Sequence, residues 1–231
     1  MSSPLVAVAP GVWTVHHPEF SVGGLGIGTR TNVFRLPDQT LALHAPGPLD
    51  GEQREAIRAL GPVSAVVIPN LMHHLFAGAA LAAFPEARVI AAPGVAAKEP
   101  SLRIDEALSD TAPACFGGVV EVLRIDGCPK LNEHVLFLPA TRTVLAVDLA
   151  FNLHGLTGFT RFAMWLNAAN DRFCMTRLGK SQYIQDVRAA GRSVSRMVDA
   201  WDVESVVVSH GEVLPTGGRE AIRQAWAFAN P

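Results

Sequence analysis

Three segments of the sequence carry histidine or aspartate directly after a run of apolar, largely β-branched residues. These segments span residues 66–74, 143–148 and 206–211, and their polar residues are His73, His74, Asp148 and His210. Such runs predict buried strands, and side chains at the ends of neighbouring strands meet at one edge of a sheet. Imidazole nitrogen and carboxylate oxygen are ligands for zinc, iron or manganese. The sequence therefore predicts a candidate metal site at one rim of a sheet, with these four residues as its candidate ligands.

The elements that must position these residues follow from the apolar pattern. A β meander is predicted over residues 6–8, 11–15, 31–36 and 40–44. Helices are expected at 51–60, 75–84 and 185–201, an interrupted helical stretch at 95–108, and a closing amphipathic helix that includes Ile222 and Trp226. Further strands are expected at 63–68, 88–91, 119–125, 134–138, 143–147 and 204–209.

Two segments admit more than one interpretation. The glycine-rich residues 23–28 resemble a phosphate-binding loop, but no clear strand precedes them and no helix follows, which favours a flexible hairpin loop. Residues 156–178 are apolar and rich in aromatic side chains, and we expect a helix or broken helix there. Three interpretations of this segment are open: it covers the site, it forms an interface with a partner, or its aromatic side chains pack in the core.

Composition limits the classes of function. A chain of 231 residues with 49% hydrophobic and 17% charged residues predicts a single domain over residues 1–231, with a large interior or a partner surface, so a homodimer is an expectation to test. The net charge is -2 and the basic residues are scattered, which predicts neither a nucleic-acid partner nor a membrane partner. The N-terminal residues 1–5 have no basic or long apolar region, and the three cysteines are far apart, so a cytoplasmic protein with free thiols is expected.

The order of these elements and polar residues resembles the metallo-β-lactamase superfamily, and more narrowly an uncharacterised branch of it, a domain of unknown function. The stretches that carry the resemblance are residues 29–36, 44–46, 69–76, 142–148 and 209–211. The resemblance covers nearly the whole chain. It implies an α+β fold, a four-layer αββα sandwich with a metal site at the edge of its sheets.

The resemblance also implies that the metal site has fewer protein ligands than the sites of active superfamily members. Active members of the superfamily carry an H-x-H-x-D-H run after the strand that corresponds to residues 63–68. One register places Asn70, Met72, His74 and Leu75 at those positions, and the other places Leu71, His73, Leu75 and Phe76 there. A further ligand histidine would fall within 127–130, where the only soft ligand is Cys128. Asp148 matches the aspartate that bridges two metals, and His210 matches the terminal histidine ligand.

This ligand count predicts at most one metal ion. Three protein ligands with a water molecule are the usual open arrangement of catalytic zinc, which lowers the pKa of that water to about 7. His44 and His134 are the residues expected to support the ligands. In the alternative interpretation no metal binds: a buried histidine hydrogen-bonds a backbone carbonyl, and Asp148 caps a turn.

Two functions from different classes remain open at this point. The first is a metal-dependent hydrolase of a small-molecule ester, thioester or lactone, with zinc as the expected ion and iron or manganese as alternatives. The second is a non-catalytic, metal-free binding protein for a small-molecule ligand, favoured by the apolar residues at ligand positions. A redox protein that holds iron is a third, weaker hypothesis.

Overall fold

Two β-sheets face each other in the computed structural model, which describes residues 3–229 of the 231. The first sheet has seven strands in the order β1-β2-β5-β6-β7-β8-β9. In chain order these strands are β1 Leu5–Ala9, β2 Val12–His17, β5 Thr29–Arg35, β6 Leu41–His44, β7 Val63–Ile68, β8 Arg88–Ala91 and β9 Glu106–Ala107. Its first half is the predicted antiparallel meander, and β6 to β9 are parallel.

The second sheet has four strands in the order β10-β11-β12-β15. They are β10 Glu121–Arg124, β11 His134–Leu138, β12 Thr143–Leu145 and β15 Ser205–Val207, and β12 pairs in parallel with β15. Two antiparallel two-stranded sheets complete the strands: the hairpin of β3 Ser21–Val22 with β4 Leu25–Gly26, and the pair β13 Phe151–Leu153 with β14 Arg172–Cys174. The glycine-rich residues 23–28 therefore belong to a hairpin.

Helices cover both outer faces of the sheet pair. In chain order they are α1 Gly51–Leu60, α2 Ala77–Ala83, α3 Val95–Lys98, α4 Gly158–Leu166, α5 Arg177–Tyr183, α6 Val187–Ala200 and α7 Gly218–Ala225. The start of α1 is a capping box, because Asp50 accepts from the Gln53 backbone N–H while the Gln53 side chain accepts from the Asp50 backbone N–H. Among the described residues, no helix is both long enough and apolar enough to cross a membrane.

The buried side chains divide into the layers of a sandwich. Between the sheets, Phe34 and Val67 of the first sheet pack in one cluster with Leu136 and Val207 of the second. Outside the first sheet, Ile57 of α1 joins a separate cluster. Outside the second sheet, α6 packs through Met197 and α7 through Ile222. This arrangement confirms the predicted four-layer αββα sandwich.

Two predicted helical stretches are shorter than the apolar pattern indicated. In residues 95–108 only α3 is helical, because Pro100 disfavours a helical conformation at Glu99, the residue after α3, and the chain then forms β9. Residues 156–178, predicted as a helix or broken helix, contain the helices α4 and α5 with β14 between them, and Ala168 and Asp171 adopt left-handed conformations in the turn between α4 and β14. On α4, Phe159, Phe162 and Trp165 are exposed. The homodimer that the composition led us to expect stays a prediction.

Candidate metal centre

His73, Asp148 and His210 converge at one edge of the two sheets. His73 follows β7 of the first sheet, whereas Asp148 and His210 follow the parallel strands β12 and β15 of the second. The Nε2 atom of His73 is 3.4 Å from Asp148 Oδ2, and Nε2 of His210 is 3.4 Å from Asp148 Oδ1. One ligand-type atom from each of the three residues lies within 4.8 Å of the others. The fold thus brings two imidazoles onto one buried carboxylate.

The His210 ring is held in one orientation. Its Nδ1 atom donates to the backbone carbonyl of Gly28 at 2.7 Å, and its ring stacks on Phe151 with centroids 5.1 Å apart and planes 10° apart. Phe20 stacks on the same imidazole at 6.5 Å. In the neutral imidazole this leaves the Nε2 lone pair directed towards Asp148. A carbonyl acceptor on the far nitrogen is typical of metal-ligating histidines.

Asn70 connects His73 to Asp148. Its side-chain carbonyl accepts from the backbone N–H groups of Met72 and His73, both at 2.9 Å, which forms an Asx turn directly after β7. Its side-chain amide donates to Asp148 Oδ2 at 2.8 Å. Asn70 is completely buried. The sequence hypothesis considered Asn70 only as a lost ligand, although an asparagine directly after a strand is a signature of such a turn.

Glu133 holds the loop that carries Asp148. Its buried carboxylate accepts from three consecutive backbone N–H groups, those of Val147 at 2.8 Å, Asp148 at 2.9 Å and Leu149 at 3.2 Å. Burial, and then the charge of Asp148, raises the pKa of Glu133 to about 8, although the three N–H donors oppose this shift. Sequence reasoning missed this residue, because a single glutamate before an apolar strand carries no distinguishing signal.

Contacts at the backbone tie the His210 segment to the strand after Asp148. Asn152 donates its backbone N–H to the His210 carbonyl at 3.0 Å and forms an isolated β-bridge with Gly211. Gly211 has a φ of 101°, and a Cβ added there would lie 2.0 Å from the Asn152 carbonyl oxygen. Glycine is therefore required at this close approach.

The donor set fits a divalent cation. With zinc bonds of about 2.0–2.1 Å, two ligand atoms of a tetrahedral site are about 3.3 Å apart, close to both imidazole–carboxylate distances of 3.4 Å. A lone pair of His210 that faces a carboxylate oxygen is repulsive unless a proton or a metal cation lies between them. Burial alone would raise the pKa of Asp148, but His73 first and then His210 outweigh burial and hold that pKa far below its usual range.

A cavity of about 430 Å³ opens onto this cluster. His73, Asp148 and His210 line its floor, and apolar side chains form most of its wall. Tyr183 also lines it, and burial, followed by the charge of Asp148, raises the pKa of the Tyr183 phenol. The phenol therefore remains protonated at neutral pH and can donate a hydrogen bond.

The remaining predicted residues lie outside the cluster. His74 lines a different depression, which also includes Glu99 and Arg103. His44 is completely buried, and its Nδ1 atom is 3.3 Å from the Asn32 amide nitrogen. His134 donates from Nδ1 to the Asn132 carbonyl at 3.1 Å. Supporting roles for His44 and His134 stay predictions.

Cys128 does not supply the missing soft ligand. It is buried in the cluster outside the second sheet, where it packs with apolar side chains. Burial, followed by the charges of Glu133 and Asp126, raises its pKa to about 12. Among the described residues it does not belong to the group of converging metal-type donors, so its packing role is structural.

Solved protein structures identify the fold of this chain, whereas sequence comparisons find no match. No family model and no curated protein sequence matches the chain. Solved structures do resemble it over almost its full length, at a level of sequence identity that shows the fold alone. A metallo-β-lactamase from Pontibacter korlensis superposes with a TM-score of 0.67 at 14% identity, over 96% of this chain and 98% of that one.

Two further structures are similar to the same extent. A metallo-β-lactamase from Erythrobacter litoralis has a TM-score of 0.67 at 17% identity, over 97% of this chain and 95% of that one. The metallo-β-lactamase FIM-1 from Pseudomonas aeruginosa, in its mono-zinc form, has a TM-score of 0.65 at 13% identity, over 100% of this chain and 98% of that one. The chain therefore has the metallo-β-lactamase fold, with His73, Asp148 and His210 as a small candidate metal site at the edge of its sheets.

Proposed function

We propose that this protein is a metal-dependent hydrolase that uses one metal ion held by His73, Asp148 and His210. The observation that carries the proposal is the pair of imidazole nitrogens, each 3.4 Å from an oxygen of one buried carboxylate, at the floor of a cavity that can admit a ligand. Within residues 3–229 this is the one group of three or more metal-type donors. Three donors are too few for two ions, so the proposal is a mononuclear site.

Zinc is the proposed ion. Two imidazoles and a carboxylate form the ligand set of several catalytic zinc sites, and one of the similar structures is a mono-zinc form. When bound, such an ion lowers the pKa of a water molecule to about 7 and polarises a carbonyl oxygen. Iron and manganese accept the same ligand types and are the alternatives.

The residues around the cluster supply the remaining requirements of acyl hydrolysis. Asp148 and the two imidazoles would hold the ion, and Phe20 and Phe151, whose rings both stack on His210, place apolar surface beside this ligand. The Tyr183 phenol can donate to a substrate carbonyl, where negative charge develops in the transition state. The proposed substrates are small-molecule esters, thioesters or lactones.

A metal-free binding protein is the second candidate function. The specific observation in its favour is that Met72, Leu75 and Phe76, from the segment where the superfamily motif places ligands, line the cavity instead. In that case the cavity binds a small-molecule ligand and carries out no reaction.

Metal reconstitution tests the hydrolase proposal. Protein stripped with EDTA is measured for metal content and for hydrolysis of an ester, thioester and lactone panel before and after addition of Zn²⁺. We expect activity only after addition, and its loss in Asp148→Ala and His210→Ala. His74→Ala is the matched control, since its imidazole adjoins His73 in sequence but lies outside the cluster, and it should retain both metal and activity. Unchanged metal content in Asp148→Ala and His210→Ala contradicts the proposal.

A further inference from the structure

The wall of the cavity is apolar and has no basic side chain. Away from the floor it is formed by residues such as Phe20, Val22, Leu25, Ile27 and Met164, and no lysine or arginine is among the described residues that line it. Two basic residues of the surrounding segments are engaged elsewhere. The Arg30 Nε atom donates to the Gly211 carbonyl at 2.8 Å, and Lys180 Nζ lies 3.9 Å from the centroid of the Phe228 ring.

An anionic group along this wall would lose its hydration without gaining a cation. Burial of a charge without a partner of opposite sign is strongly unfavourable, and no such partner lines the wall away from the His73, Asp148 and His210 cluster. Polar side chains such as Asn167, Thr176 and Gln182 provide uncharged donors and acceptors only. The wall therefore selects against carboxylate and phosphate substituents on the part of a substrate that contacts it.

The mouth of the cavity is apolar as well. Four residues that line it are also exposed to solvent: Val22 at 52%, Met72 at 40%, Leu75 at 64% and Leu178 at 47%. Exposed apolar side chains grouped around a cavity indicate a binding surface rather than scattered surface residues. The apolar surface is thus continuous from the His210 floor to the outside.

We propose that the cavity binds the uncharged, apolar chain of an acyl compound, with its carbonyl at the floor and its chain along the wall towards the mouth. For hydrolysis this rests on the proposed function, whereas binding of the chain does not require it. In an ester of this kind, hydrolysis breaks the acyl C–O bond. Water supplies OH to the acyl carbon and a proton to the leaving alcohol.

Calorimetric titration with simple amides tests the binding step without any chemistry. Butanamide, hexanamide and octanamide are titrated into EDTA-treated and zinc-loaded protein, together with glutaramate, which replaces the apolar end of hexanamide by a carboxylate. Each added methylene should strengthen binding by roughly fourfold, from about 0.8 kcal/mol per buried CH₂. In EDTA-treated protein, where no metal can ligate its carboxylate, glutaramate should bind at least about tenfold more weakly than hexanamide. An affinity independent of chain length, or equal binding of glutaramate, overturns the inference.

Two exposed leucines provide a matched pair of variants. Leu178 lines the cavity, whereas Leu166, exposed to a similar 51%, does not. Leu178→Asp should weaken octanamide binding about tenfold or more and Leu166→Asp should leave it unchanged. Equal effects in both variants refute the location of the chain. If Leu178→Asp is unfolded by circular dichroism, Leu178→Gln takes its place with Leu166→Gln as control, and a weakening of roughly threefold or more is expected only in the former.

The two proposals fail in different ways. Binding that depends on chain length, without hydrolysis of the matching 4-nitrophenyl esters by zinc-loaded protein, supports this inference and contradicts the hydrolase. Zinc-dependent hydrolysis that is equally fast for acetyl and octanoyl esters, with no gain in amide affinity along the series, supports the hydrolase and overturns this inference.

Discussion

Replacing His44 should remove a defined part of the acid sensitivity of the fold. His44 is completely buried, and burial first and the charge of His73 second lower its pKa to about 3. Thr14 donates to the Asn32 side-chain carbonyl at 2.9 Å, so the Asn32 amide nitrogen faces His44 Nδ1, and no partner for His44 Nε2 is present among the described residues. The native state therefore keeps this imidazole neutral.

The sign of the effect follows from proton linkage. In the unfolded chain a histidine binds a proton below about pH 6.5, whereas in the native state His44 does so only below about pH 3. Between these values the unfolded state binds more protons, so the free energy of unfolding falls as pH falls, by about 1.4 kcal/mol per pH unit. From about pH 8 to about pH 5 the contribution of His44 is a loss of about 2 kcal/mol.

Urea unfolding in EDTA at these two pH values measures this contribution. Wild type should lose about 2 kcal/mol more than His44→Gln between pH 8 and pH 5. His44→Asn is the matched control for packing, because it leaves a different cavity but should show the same reduced pH dependence as His44→Gln. His17, whose pKa burial lowers to about 4, acts in the same direction and is common to all three proteins. Equal pH dependence in wild type and both variants would refute the reasoning.

Three substitutions test how the site is held. Glu133→Ala leaves the buried N–H groups of residues 147–149 without their acceptor. At about 1–3 kcal/mol for each such group, it should lower the free energy of unfolding by about 3 kcal/mol or more, and a urea midpoint equal to wild type would contradict this. Asn70→Ala should weaken zinc binding about 10–100-fold in a competition titration, because it removes an orienting contact of the ligands, whereas unchanged affinity would mean that Asn70 does not position them. Gly211→Ala forces a Cβ to within 2.0 Å of the Asn152 carbonyl, so its thermal midpoint should fall by several degrees, and a wild-type midpoint would refute the required close approach.

The fold could be predicted because its signals are local. The apolar runs that became β7, β12 and β15 are distinct in the sequence, and each is followed by the polar residue that reaches the site. The sequence signals for the meander and for the N-terminal cap of α1 are equally local. Residues 95–108 and 156–178 were predicted less well, since apolar composition alone does not show where Pro100 or the left-handed Ala168 interrupts a helix.

The sequence named the residues of the candidate site but not their geometry: the structure brings His73, Asp148 and His210 together, and their role as metal ligands stays a prediction. Which of His73 and His74 faces Asp148 depends on the Asx turn at Asn70, because the side chains of two successive residues point in different directions. The support from Glu133 links residues that are far apart along the chain and leaves no periodic pattern. Contacts of this kind depend on the tertiary structure and are visible only there.

A crystal structure of the zinc-soaked protein, with anomalous data collected on both sides of the zinc absorption edge, tests the central claim most directly. The account predicts one anomalous peak per chain, bonded at about 2.0–2.2 Å to His73 Nε2, an Asp148 oxygen and His210 Nε2. A peak elsewhere, two peaks at this site, or no peak at saturating zinc would contradict it.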